Sequence, residues 1–379
     1  MKSLLFISLT TLFLFSGCAT KEETIPVEEK VEVVVPQQDS IKTNTKNMEA
    51  VTFNDIDGFY RDDLNHALDV FKKDCKRAKK NELFKNVCQK AEYETDGYKF
   101  FTINFQPYKL LDDNSLDEGL ITGYYEPLLY GSLRKNNRYK YPIYKTPKDM
   151  LIVDFVSTYP EFAKLKLRAK QVGNKVIPYD SREEIEKNPN KDLEVIAYAD
   201  NKVDVFLLHV QGSGKVLLDN GDLINVGYAE QNGRKFKGIG MYMLNKGYIT
   251  KNELSAQGMK KYLDKNPSKV DEVLNQNESY VFFKKSNQGA IGALGSVLTA
   301  KRNIAVDRSV IPLGMPVFLS TKNPLDKKPI NQLMIAADVG GAIKGKIRAD
   351  FFWGFGDTAF EYAGRMKEKG KMYILMPKE

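Results

Sequence analysis

Apolar and polar positions change rhythm several times along this 379-residue chain. An apolar run from Leu4 to Phe15 is followed, at residues 19–50, by a stretch of Glu, Lys, Val, Pro, Gln, Asp and Thr with no aromatic residue. Residues 52–112 place apolar side chains at helical spacing, as at Leu64, Leu68 and Phe71, and predict helices with charged outer faces. From Gly119 the rhythm shifts: GLITGYYEPLLYGSL reads as strand, turn and loop. Residues 139–235 hold short apolar runs cut by Asn, Asp, Gly and Pro, among them YKYPIYK, EVIAYAD, VDVFLLHVQGSGKVLLDNG and LINVGYAEQNGR. Strands at this density predict a small antiparallel barrel. Residues 238–275 turn helical and 279–355 return to strands. DTAFEYAGRMKEKG predicts a closing helix and KMYILMP a final strand. No βαβ alternation is present, so the fold class is α+β, mainly β, with barrel-like sheets.

The first residues add a location. One lysine, a short apolar run and then Ser16, Gly17 and Cys18 form a secretory signal too short for a membrane span. The Ser-Gly-Cys end predicts a lipoprotein signal at 1–17, with Cys18 lipidated at the mature N-terminus. Ala19 after the cysteine favours the outer membrane. Residues 18–50 are expected to be a disordered tether, spanning roughly 30 Å as a flexible coil. The protein is thus placed in the periplasm, lipid-anchored to the outer membrane.

Charge and cysteines change the picture less. Lys and Arg outnumber Asp and Glu by 57 to 49, a net charge of +8. In a secreted chain this points to acidic cell-wall or lipid neighbours, or to a solvated lysine-rich surface, and not to nucleic acid. Cys75 and Cys88 lie in two amphipathic segments, and an oxidising periplasm favours a disulfide between them over two buried thiols. With no histidine near them they form no zinc site.

The candidate chemistry is carboxylate chemistry. His66, on a polar helix, reads as a surface residue; His209, in FLLHVQGSG read as a strand, reads as structural. HExxH, GxSxG and Walker A motifs are all missing from the sequence. QGSGK, with Gln211 and Ser213, reads as a tight turn whose polar groups can hydrogen-bond a sugar. Three aspartates end or edge strand-like runs: Asp307 in VDRSVIP, Asp338 in IAADVGGAIKG and Asp350 in RADFFWG. Arg308 beside Asp307 would keep it ionised, as an orienter. Phe351, Phe352 and Trp353 beside Asp350 would raise its pKa, as a general acid needs.

ITGYYEP (121–127), VQGSG (210–214), YAEQNGRKFKGIG (228–240), SYVFF (279–283), VDRSVIPLG (306–314), AADVGGAIKG (336–345) and the stretch from Asp350 to Gly356 occur in one order. Together they resemble the membrane-bound lytic transglycosylase A (MltA) family, and the C-terminal block also resembles the three-aspartate, or 3D, domain. The resemblance implies a double-psi β-barrel domain with N-terminal helices, formed by 51–126 and 284–379. A second, smaller β-barrel domain, 127–283, would be inserted, with a groove between the two for a glycan strand.

It also implies an activity: cleavage of the MurNAc–GlcNAc β-1,4 bond of peptidoglycan without water, leaving 1,6-anhydro-MurNAc ends. Asp350 falls on the family's single catalytic aspartate, with Asp338 and Asp307 as supporting carboxylates. Thr122 is a sugar contact by the same reading, and Tyr124, Tyr125, Glu126, Gln211 and Ser213 join it along the substrate groove. No cofactor or metal is required, and the sequence names no partner among cell-wall synthesis or division proteins. Two other readings compete. One is a two-carboxylate glycoside hydrolase with Glu126 or Asp338 as base. The other is a non-catalytic, expansin-like wall-binding lipoprotein.

Overall fold

The computed structural model describes residues 47–164 and 167–378. The signal peptide at 1–17, Cys18 and the tether up to residue 46 lie outside the described residues. The last tether residues are not loose: Met48–Ala50 is a strand, paired antiparallel with Tyr108–Leu110.

Three helices open the described chain: Leu64–Ala78, Glu82–Tyr93 and Gly97–Asn104. Each begins at a side chain that accepts a hydrogen bond from a first-turn amide: Asp63 from His66, Asn81 from Leu83, and Asp96 from Lys99. In the first helix Leu64, Ala67, Leu68, Phe71, Cys75 and Ala78 fall on one face and are buried in the main core. Phe71 packs against Phe100, Phe101 and Phe105 at ring-centroid distances of 5.7, 6.0 and 5.8 Å. A disulfide joins Cys75 to Cys88 across the first two helices. The predicted helical region ends early, because Phe105–Leu110 is a strand. Its pairing with the C-terminal strand outweighs local preference.

The main sheet closes on itself. Its closed circuit runs through Gly119–Glu126, Arg348–Phe355, Asn303–Val306, Pro329–Asp338, Pro316–Lys322 and Lys367–Pro377, and the last strand returns to the first. Closure depends on one long strand. Residues Lys367–Gly370 pair with Gly119–Thr122, and the rest pairs with the strands at 317–320 and 105–109. The closing helix therefore stops at Ala363, and the MKEKG end of the predicted helix is mostly strand. The helices cap this barrel through buried polar ties. Arg302 is held by both oxygens of Asp62 at 2.8 Å, and Asn303 donates to the buried Asp74 at 2.8 Å.

The middle of the chain forms a second, six-stranded sheet in the order 281–286, 223–231, 213–218, 128–132, 195–199, 141–144. One of its pairs, 128–131 with 215–218, is parallel. A separate three-stranded sheet holds 151–152, 168–172 and 175–178. The run read as strand at VDVFLLHVQ is instead a helix, Lys202–Gln211. Asn201 accepts from the amides of Val203 and Asp204 to start it, and Gly212, at φ +79°, ends it. These two local signals, with apolar packing on several sides, outweigh the β-branched composition. Helix Arg182–Lys187, started by Ser181, also interrupts the strand-rich stretch.

Candidate active site

Strand register assembles the site. Ala305 is the cross-strand partner of both Asp338 and Asp350, and Asp350 is the partner of Thr122. One row thus runs Asp338, Ala305, Asp350, Thr122 over four neighbouring strands. Neighbouring strands lie about 4.8 Å apart, so the two aspartates stand roughly 10 Å apart at the backbone, with only a small alanine between. Thr122 and Asp350 are 228 positions apart in sequence, so local pattern cannot place them in one row; the closed barrel does it.

Asp350 accepts a 2.6 Å hydrogen bond from Thr122 Oγ1 on its Oδ1. Arg348, two residues earlier and so on the same strand face, donates from Nη2 to Thr122 Oγ1 at 2.9 Å. Burial raises the Asp350 pKa, while the Thr122 hydroxyl and the Arg348 charge oppose that rise. The residue as a whole is only partly covered, although burial of the carboxyl is the main cause of its shift.

The aromatic neighbours are not where the sequence suggested. Side chains alternate along a strand, so Phe351 and Trp353 point away from Asp350 into the barrel core. Trp353 stacks on Tyr362 and donates to Met366 Sδ. Only Phe352 shares the Asp350 face, packed 5.0 Å from Tyr124. The covering of Asp350 comes from its neighbouring strands and not from its own aromatic run.

Asp338 is held differently. Its Oδ1 accepts from the amides of Ala293 and Val339, both at 2.9 Å. Burial pushes its pKa up to about 6, against those amides and the Tyr124 hydroxyl, and the nearby Asp350 charge adds to the rise. The Ala293 contact depends on Gly292. A Cβ there would stand 2.3 Å from the Ala337 carbonyl oxygen, so only glycine lets this loop lie on the sheet.

Asp307 lies away from this row and joins two loops. It accepts from Ser309 Oγ at 2.7 Å, Ser309 N at 3.1 Å and Gly345 N at 3.0 Å, and pairs with Lys344 at 3.7 Å. Burial pushes its pKa up, but these donors outweigh it and hold the carboxyl below its usual range. Ser309, Gly345 and Lys344 do what the sequence reading gave to Arg308.

The remaining candidates divide. Thr122, Tyr124 and Glu126 alternate onto one face of their strand. Tyr125 points to the other face, is 5% exposed and stacks on Phe360 at 5.1 Å in the main core. Glu126 is only 4% exposed. Burial raises its pKa, opposed by Lys215, the Ala290 amide and Ser213. Gln211 Oε1 accepts from the Tyr125 amide at 3.1 Å, so it ties the second sheet's helix to the barrel strand. Lys215 sits 4.4 Å from the centre of the Phe355 ring at the same junction. His209 is buried, with Nδ1 3.0 Å from Arg182, and is structural. Arg348, Lys215 and the Ala293 amide were missed. The i, i+2 spacing to Asp350 could have found Arg348; nothing local marks the other two. Among the described residues no cluster of His, Cys, Asp and Glu could hold a metal.

Comparison with known proteins agrees with this architecture. The family model "MltA specific insert domain" matches residues 120–284, and the "3D domain" model matches 302–376. Membrane-bound lytic murein transglycosylase A of Escherichia coli K12 is 30% identical over 262 residues, covering 67% of this chain and 64% of that protein. The chain thus matches somewhat under two thirds of that relative's length. The crystal structure of MltA from Neisseria gonorrhoeae superposes with a TM-score of 0.78 at 33% identity, covering 87% of this chain and 92% of that one. The lytic transglycosylase LtgG of Burkholderia pseudomallei gives 0.60 at 35% identity, covering 88% and 96%. Ordered motifs, a closed barrel carrying the three aspartates and a second sheet matching the insert model converge, and this chain belongs to the MltA family.

Proposed function

We propose that this protein is a peptidoglycan lytic transglycosylase in which Asp350 serves first as general acid and then as general base. The observation that carries the reading is the state of Asp350: a raised pKa, a partly open surface and a 2.6 Å hydrogen bond from Thr122. The names of its relatives support the same activity.

Asp350 protonates the glycosidic oxygen as the C1–O4 bond breaks. The MurNAc C6 hydroxyl then attacks C1 from within the same sugar, and its proton returns to Asp350. A new C1–O6 bond closes the 1,6-anhydro ring, no water is consumed, and the acid is regenerated. Thr122 and Arg348 stabilise the intermediate carboxylate, because a hydroxyl polarised by a guanidinium donates more strongly. Asp338 and Asp307 fix the surrounding loops. The barrel and its N-terminal helices form the catalytic domain, and the glycan lies where the barrel meets the inserted sheet. Lipidation at Cys18 would tether the protein to the outer membrane. No helix among the described residues is long and apolar enough to cross a membrane.

The hydrolase reading needs a second carboxylate free to activate water. Glu126 is sealed from solvent, and Asp338 is anchored through Oδ1 to two amides in a supporting position, so only its Oδ2 could activate water, which the product assay tests. Mass spectrometry of products from purified sacculi tests the proposal. Muropeptides one water lighter than hydrolysis products, lost with Asp350→Asn, are expected. Reducing-end products would establish a hydrolase instead, and binding without soluble product a wall-binding module.

A further inference from the structure

Tyr124 holds a position that a sugar contact does not explain. Its hydroxyl is buried and makes no hydrogen bond of good geometry, yet it lies close enough to Asp338 for each group to shift the other's titration. A buried hydroxyl left unpaired is costly, so one that persists beside a site asks for a reason. Its ring is wedged against Phe352, the cross-strand partner of Tyr124 and the residue two beyond Asp350. The hydroxyl is therefore set by the same strand pair that sets Asp350 and Thr122.

The charged groups around it are nearly all anionic. Asp338 from one strand, Asp350 from the paired strand and Glu126 from its own strand all act on the hydroxyl. Arg348 is spent on Thr122 and on the carbonyls of Leu120 and Ala349. Burial and the three carboxyls keep the phenol protonated, so it always has a proton to donate, and the charged groups near it are acceptors. The acceptors on offer are specific. Thr122 serves Asp350 Oδ1, and two amides serve Asp338 Oδ1. Among the described residues the close hydrogen bonds to both aspartates fall on Oδ1, which leaves Oδ2 for the Tyr124 hydroxyl, already near enough to lower the Asp338 pKa.

We propose that Tyr124 is a positioning residue whose hydroxyl supports Asp338 and Asp350 in turn, and not a sugar contact. With Asp350 protonated, the phenol donates to Asp338. When Asp350 has given its proton to the leaving oxygen, the phenol turns its O–H toward the new carboxylate. When Asp350 takes the C6 hydroxyl proton, the O–H returns to Asp338. Tyr124 keeps its own proton throughout, so the reaction balances without it.

This inference rests on Asp350 as acid and base, and the test separates the two. Tyr124→Phe removes only the hydroxyl. On soluble peptidoglycan fragments kcat should fall about 10-fold or more, the loss expected for one hydrogen bond to a charged group. KM should stay within about twofold, and the alkaline limb of the pH profile should move upward, because both carboxylates lose a donor. A several-fold rise in KM with an unmoved limb would make Tyr124 a sugar contact and overturn the proposal, as would an unchanged profile. Carboxyl NMR titration of Asp338 gives a readout without turnover. Its midpoint should rise in Tyr124→Phe, and an unmoved midpoint would also overturn the proposal. Retained activity in Asp350→Asn would sink the acid–base reading, while the NMR comparison would still report on Tyr124.

Discussion

Thr122→Val is the sharpest probe of the site. Thr122 Oγ1 donates to Asp350 at 2.6 Å and accepts from Arg348 at 2.9 Å, and valine removes both contacts with little change in shape. Valine suits a strand, so stability should change by no more than about 0.5 kcal/mol. A hydrogen bond to a charged group contributes about 1.5–3 kcal/mol. At 1.36 kcal/mol per pKa unit, its loss would raise the Asp350 pKa by about 1–2 units in a sealed site. Asp350 is partly open, and water takes over some of the lost bond, so about 1 unit is expected. Arg348 does not swing in to cancel the effect, since it remains bonded to the Leu120 and Ala349 carbonyls. The sign follows from the chemistry. Thr122 favours the ionised form, so without it the proton is held more tightly. The alkaline limb of the rate profile then moves up, and kcat falls about 10-fold because the carboxylate intermediate is less stable. The assay is initial release of muropeptides from sacculi between pH 4 and 9, with Thr122→Ser as the control that restores the hydroxyl. An alkaline limb that stays in place or moves down, or a serine variant as impaired as the valine one, would refute the reasoning.

Other consequences are as direct. The Asp338 pKa of about 6 lies above its usual 3.8, so the folded state binds that proton more tightly and its ionisation costs stability as pH rises from about 4 to 6. Asp338→Asn should therefore gain up to about 3 kcal/mol against urea at pH 8 and nothing at pH 4; equal stability at pH 8 would contradict this. Gly292→Ala forces a Cβ toward the Ala337 carbonyl oxygen and should cost at least about 1–3 kcal/mol while displacing the Ala293 amide from Asp338. A thermal melt matching wild type would show that the loop gives way. Cys75 and Cys88 enclose a short loop, 13 residues apart, and replacing both with alanine should cost about 3 kcal/mol, read as a lower denaturant midpoint. Were an added reductant to leave the wild-type midpoint unmoved, the bridge would not contribute.

Much of the site was legible because its residues carry local chemistry. Asp350 stood out as a strand-edge carboxylate, and Asp307 as an acceptor in a turn. The helix at 64–78 could be read from its apolar spacing. Sequence failed where neighbours compete with local preference. Lys202–Gln211 looks like a strand but is started by Asn201 and stopped by Gly212. Residues 367–370 look helical but complete the barrel against Gly119–Thr122. Phe351 and Trp353 adjoin Asp350 in sequence, yet alternation sends them to the opposite face.

The sequence by itself determined the mainly β class, the family resemblance and which carboxylates to weigh, since composition, period and motif order are properties of the chain. Tertiary structure alone decided the row Asp338, Ala305, Asp350, Thr122, because strand register is set by pairings between distant segments. It also decided the pKa order of the site. A carboxyl is shifted by its burial and by the donors around it, and those are contributed by strands and loops far away in the sequence.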